Sequence, residues 1–306
     1  MRAEADFMQG RFTDAHIGLE SAYAQIEGNG QENMALCCDF LMWRLSMHMD
    51  IGQRHSFEER RASLLRHHNA AWLNIWSAAS AYYHALMGET GKIPPAFADH
   101  QLSTIHFLAP GKPMMEMIEN QVYLAQGAYA KVIGRSEGQL AVCSAMHYAL
   151  VSLHIRIQTA AAYEMLGKHE QARALLSHAL TDAEPDTLPM PFVENYRYLK
   201  SLLTQETRSG LVPKIIELGE AAELRGSRAV RPTALAALTE REYEIVRLMS
   251  QRLMSQRLTN RELAEKLFLS EGSVKQYINQ IYSKLHIEGD ARSKRKRLLE
   301  LLSPKT

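Results

Sequence analysis

Three helix starts written into the last quarter of the chain constrain its fold more than any other feature. Thr239 with Glu242, and Thr259 with Glu262, are both T-x-x-E pairs. In such a pair the hydroxyl and the carboxylate satisfy free backbone N–H groups of a helix's first turn. Ser270 is a third cap candidate, without the reciprocal acid. Apolar residues after each cap keep helical spacing: Ile245 and Leu248; Leu263, Ala264 and Leu267; Val274, Tyr277, Ile278, Ile281 and Leu285. Short capped helices in this order predict a helix-turn-helix with its third helix over 271–285. That helix turns Val274, Ile278, Ile281 and Leu285 inward. Its other face carries Lys275, Gln276, Asn279 and Gln280, two i,i+4 pairs forming one polar stripe that a DNA major groove accepts.

Around the caps stand Leu238-Thr239-Glu240-Arg241-Glu242, Thr259-Asn260-Arg261-Glu262-Leu263-Ala264, Ser270-Glu271-Gly272-Ser273-Val274-Lys275 and Ile281-Tyr282-Ser283-Lys284-Leu285. In this order they resemble the DNA-binding domain of the LuxR/GerE family, whose pattern is LTxRE, (S/T)NxE(I/L)A, Sxx(T/S)VKxx and IxxKL. The resemblance implies a cytoplasmic bacterial regulator that binds double-stranded DNA as a homodimer. It places Lys275, Gln276 and Asn279 at base edges. The chemistry agrees and extends to Gln280, since Gln and Asn pair with adenine and Lys donates to guanine acceptors or phosphate. Thr259, Asn260, Ser273, Tyr277 and Lys284 sit where phosphate contacts are expected. A fourth helix opens at Lys294-Arg295-Lys296-Arg297, and in this family it commonly makes the dimer contact, here through Leu298, Leu299, Leu301 and Leu302.

The chain departs from the pattern in four places. Tyr277 stands where the family often has His, Asp290 stands near a usual Arg, and Arg252 or Arg257 replaces the usual turn Gly. The fourth departure is an insertion. Residues 247–258 read Arg-Leu-Met-Ser-Gln twice and then Arg-Leu, five residues more than family spacing. Within a helix, five residues add about 7.5 Å and leave later side chains roughly 140° out of phase. The insert is therefore expected either to loop out or to over-extend the first helix so that the second copy replaces the first. Both give a longer or irregular first turn.

Charge is unevenly shared. Residues 231–306 hold 15 Lys and Arg against 9 Asp and Glu, net +6, while the remainder holds 20 against 25, net −5. A basic module on an acidic body suits a DNA-binding head joined to a separate sensor. Cys37, Cys38 and Cys143 make neither metal spacing nor a disulfide framework, so reduced thiols are expected. No signal peptide is visible. The least charged stretch, 67–88, is interrupted by Asn69, Asn74, Ser77, Ser80 and His84, which argues for a buried helix over a membrane span. The 13 histidines, His67-His68 included, form no HExxH or ligand-spaced cluster, and GxSxG is absent. No catalytic residue, metal or cofactor is predicted, and nothing marks a phosphoacceptor domain.

The rest reads as helices. Gly10-Arg11-Phe12-Thr13-Asp14-Ala15 returns as Gly167-Lys168-His169-Glu170-Gln171-Ala172 and, more weakly, as Gly127-Ala128-Tyr129-Ala130-Lys131-Val132. In each, Gly ends one helix and a small or branched residue five positions on lets the next pack closely, as in tetratricopeptide-type units. Separations of 117 and 40 residues do not fit a strict repeat, so the expectation is an irregular α-solenoid, with an unspecified all-α bundle as the alternative. Only nine residues precede Gly10, which implies a shortened cap or a missing upstream part. Further helices are expected over 32–51, 56–88, 96–108, 114–134, 138–166, 168–182, 192–203 and 210–225. Pro94-Pro95, Pro110-Gly111-Lys112-Pro113 and the Pro185–Pro191 run break them. The helical pair, the Met190-Pro191-Phe192-Val193-Glu194-Asn195 segment and the C-terminal head together resemble the arm of MalT-like regulators. The nucleotide-binding module usual there is missing, since no GxxxxGK(S/T) occurs.

The expected fold is therefore all-α: a helical repeat domain over 1–225 that takes an unknown small-molecule or protein effector, a linker over 226–237, and a four-helix head over 238–306. The leading reading is a sequence-specific transcriptional regulator. The alternative is an interaction scaffold whose head is impaired by the duplicated pentapeptide.

Overall fold

A computed structural model describes residues 2–301 apart from 27, 28, 30, 53, 67–69, 103–108, 230–234, 236, 240, 241, 243, 244, 247, 248, 250, 251, 254, 255, 258 and 268. The chain divides into two compact units, Met1–Gly226 and Ser227–Thr306. The first is built of helices: α1 (Arg2–Met8), α2 (Phe12–Ile26), α3 (Glu32–Leu45), α4 (Phe57–Arg66), α5 (Ala70–Met87), α6 (Pro95–Ala98), α7 (Lys112–Ala125), α8 (Tyr129–Ala145), α9 (Ala149–Met165), α10 (His169–Ala183), α11 (Met190–Val193), α12 (Tyr196–Leu203) and α13 (Val212–Ala229). The second holds a strand pair, β1 (Arg252–Leu253) and β2 (Gln256–Arg257), then α14 (Asn260–Leu267), α15 (Glu271–Lys284) and α16 (Ala291–Glu300). Apart from that pair of two-residue strands, the described regular structure is helical. None of the described helices is long and apolar enough to cross a membrane.

The glycine turns work as their spacing predicts. Gly10, Gly127 and Gly167 all adopt positive φ, near +70°, where a side chain is disfavoured. At Gly167 its own N–H donates to Glu164 O at 2.9 Å and the Lys168 N–H reaches back to Tyr163 O at 2.9 Å, closing the last carbonyls of α9. The same pair of bonds closes α1 and α7. A further copy was hidden. The stretch 138–166 is two helices, because His147 adopts φ 56 and Tyr148 N–H donates to Cys143 O at 2.9 Å. Turns at 127, 147 and 167 thus fold α7 to α10 back and forth at even spacing.

Other boundaries also shift. The predicted 32–51 helix stops at Leu45, where Ser46 Oγ caps Trp43 O at 2.7 Å. The 114–134 stretch breaks at the Gly127 turn, and 56–88 resolves into α4 and α5. Of 96–108, α6 covers the start and 103–108 lie outside the described residues. Residues 226–229, predicted to open the linker, are the last four of α13.

Inside the first unit, apolar side chains from α1, α2, α3 and α9 to α13 form one large core. Burial on this scale supplies the driving force, at roughly 25 cal/mol per Å². Through it runs a charged centre. Arg44 on α3 donates to Glu194 at 2.8 Å and to Glu4 on α1 at 2.8 Å, while Tyr82 on α5 donates its hydroxyl to Glu194 at 2.6 Å. The Glu194 side chain has no solvent exposure. Burial would raise its carboxyl, but Arg44, His154 and Tyr82 outweigh that and hold it below the usual range.

Candidate nucleic-acid interface

All three predicted caps form. Thr239 N–H donates to Glu242 Oε2 at 2.7 Å, and Glu242 N–H returns to Thr239 Oγ1 at 3.3 Å. Thr259 and Glu262 repeat the exchange at 2.6 and 3.3 Å. Ser270, in extended conformation, accepts the Ser273 N–H at 3.0 Å and opens α15. Glu242, Ile245, Val246 and Met249 are helical, so the first cap also leads into a helix. Ile245, Val246, Leu263, Leu267, Val274, Ile278, Ile281 and Leu298 meet in one core. That core fixes which face of α15 points outward.

Outward lie Lys275, Gln276, Asn279 and Gln280, all exposed. Lys275 pairs with Glu271 one turn earlier at 3.2 Å. The five phosphate candidates differ among themselves. Asn260 is the first residue of α14, and Asn260, Ser273 and Tyr277 are half-buried. Ser273 is engaged with the Ser270 cap, and Tyr277 packs on the core. Thr259 is exposed, but its hydroxyl serves the Glu262 cap. Lys284 donates to Glu242 Oε2 at 2.8 Å, tying the end of α15 to the start of the first helix. The Glu242 side chain is only 3% exposed. Burial alone would raise its carboxyl, yet the Lys284 and Thr239 hydrogen bonds prevail and hold it below the usual carboxylate range.

Of the four leucines assigned to a dimer contact, Leu298 is fully buried in the domain's own core and Leu301 packs against it. Leu298 is therefore occupied within the unit, while Leu301 keeps part of its surface exposed. The side chain of Leu299 and all of Leu302 lie outside the described residues.

Within the duplicated stretch the described residues 252, 253, 256 and 257 form a strand pair, which fits the looped-out alternative; 247, 248, 250, 251, 254, 255 and 258 lie outside the described residues. Arg252 pairs with Arg257 and Leu253 with Gln256, antiparallel, and α14 follows directly from its Thr259 cap. The over-extended helix is not what forms. A strand pair returns the chain close to where it left, so the out-of-phase rotation never reaches α14.

Residues 236–294 match the family model for GerE, the bacterial regulatory proteins of the luxR family. The second unit carries a LuxR-type helix-turn-helix domain. No curated protein and no solved structure matches the chain. Two features of this GerE domain escaped the sequence reading. The Glu242–Lys284 link joins residues 42 apart, and no local spacing announces it. Asp290, read as a departure from the family, is the cap of α16: its carboxylate accepts the Ser293 N–H at 2.8 Å. That signal was legible, since Asp three residues before Ser at a helix start is a standard cap pattern. Among the described residues, no group of three His, Cys, Asp or Glu side chains is placed to hold a metal ion.

Proposed function

We propose that the chain is a sequence-specific DNA-binding transcription regulator whose α15 enters the major groove. Lys275, Gln276, Asn279 and Gln280 read base edges, and Asn260, Ser273 and Tyr277, with Thr259 and Lys284, lie along phosphate. The observation that carries the reading is the exposed polar stripe on α15, held outward by the buried core of a GerE domain. The helical body over 1–226 binds a small-molecule or protein effector, and two copies pair on a palindromic site. Leu298 is taken up by the core, so that pairing draws on the rest of the expected set, Leu299, Leu301 and Leu302.

The test is fluorescence anisotropy with a random duplex library followed by enrichment, comparing the chain with a variant lacking 252–256. Enrichment of one palindromic site by both supports the regulator and makes the hairpin a tolerated insert. Binding by the deletion variant alone means that the insert impairs this head. If neither binds above a charge-driven, salt-sensitive background, the interaction scaffold replaces the regulator. Asn279→Ala should cost about 1–3 kcal/mol at the enriched site and relax preference at one base pair.

A further inference from the structure

The first unit contains an open groove of about 1110 Å³, walled by α1, α2 and α3 on one side and by α9 and the segment after α10 on the other. Its surface is mostly apolar and rich in sulfur: Met8, Met34, Cys37, Cys38, Leu150 and Leu153 all contribute. Met34 is 49% exposed and Leu150 41%, on opposite walls, although both are large apolar side chains. Burial raises both thiols, Cys38 to about 11, so they line the groove as neutral sulfur.

We infer that this groove receives an amphipathic helix of a partner protein, with Leu- or Met-type anchors on one face and Lys or Arg beside them. Three properties favour that occupant. The groove is open to solvent and, at about 1110 Å³, stands at the upper end of the roughly 300–1,000 Å³ usual for small-molecule pockets. Its walls present an apolar strip, Met34, Cys37, Cys38 and Leu41 of α3, against which the i, i+3, i+4, i+7 anchors of a bound helix pack in helix-in-groove recognition. Flexible thioethers adapt to such anchors. Charge supplies the third. Three carboxylates line the groove: Asp182 is paired with Arg156, Glu4 shares the buried Arg44 with Glu194, and Asp186 has no cation among the described residues, so the lining stays net acidic. Asp182 and Asp186 flank the C-terminal end of α10, where the helix's own carbonyls add negative potential. A basic flank complements that end and an acidic one is repelled.

The inference rests on the reading of the body as the effector-binding part, and names its partner. The probe is a fluorescein-labelled Leu/Lys peptide of about 18 residues, long enough to be helical when bound, titrated into the full chain. Two counterparts accompany it, one with Lys replaced by Glu and one with Leu replaced by Ala. The Leu/Lys peptide should bind at least about tenfold more tightly than either counterpart. Leu150→Arg and Met34→Arg, both at exposed positions, should each weaken it by about the same factor while circular dichroism and duplex binding stay unchanged. Equal binding of the Glu counterpart, or no effect of either substitution, overturns the inference. If the peptide fails but a small apolar dye saturates the groove and changes DNA affinity, the effector reading stands and the helix is wrong. If neither binds, both fall.

Discussion

At Glu242 one carboxylate serves two elements, capping the first helix of the GerE domain and holding Lys284 at the end of α15. Glu242→Ala should therefore lower the stability of this domain by about 1–2 kcal/mol, a cap's worth plus a partly exposed ion pair of smaller value. Lys284→Ala should cost less, since Thr239 still holds the carboxylate. Urea unfolding followed through the domain's tyrosines checks both. Lys284 shows where sequence reading stops: its position suggested phosphate, yet its closest described partner is a carboxylate 42 residues away. The caps themselves were legible because each donor and acceptor lies within three residues of its partner.

Among elements, glycine made the turns at Gly10 and Gly167 legible, while 114–134 was read through Gly127 and another turn was hidden where a different residue took the same conformation. His147 folds the chain as Gly127 and Gly167 do, but the imidazole gives no hint of a left-handed backbone, so two helices read as one. Close approach between helices is equally silent. A methyl group on Gly219 of α13 would stand 2.3 Å from the Tyr196 ring of α12. Gly219→Ala should destabilise the first unit by about 1–3 kcal/mol through overpacking. Gly226→Ala, on the same helix with nothing within 4 Å, should stabilise by up to about 1 kcal/mol through helix propensity. Thermal unfolding of the two variants in parallel separates packing from propensity.

For the molecule as a whole, the least legible feature is the charged centre of the first unit, because Arg44 and Glu194 are 150 residues apart. His48 and His154 are buried near it, and burial lowers both pKa values to about 4. The folded state thus binds fewer protons than the unfolded chain between about pH 6.5 and 4. Stability is full above pH 6.5 and is lost as pH falls towards 4, by about 3 kcal/mol for each histidine at most. Denaturation midpoints at pH 7.5 and pH 5 should show the loss, and His48→Gln should reduce it. The strand pair between Arg252 and Arg257 has a different bearing on the whole chain. Because the detour closes on itself, with its two arginines five residues apart, the number of letters inside it is uncoupled from the spacing of the helices outside it. This makes 252–257 a point where the chain can lengthen or shorten while the three caps, and the surface they orient, keep their places.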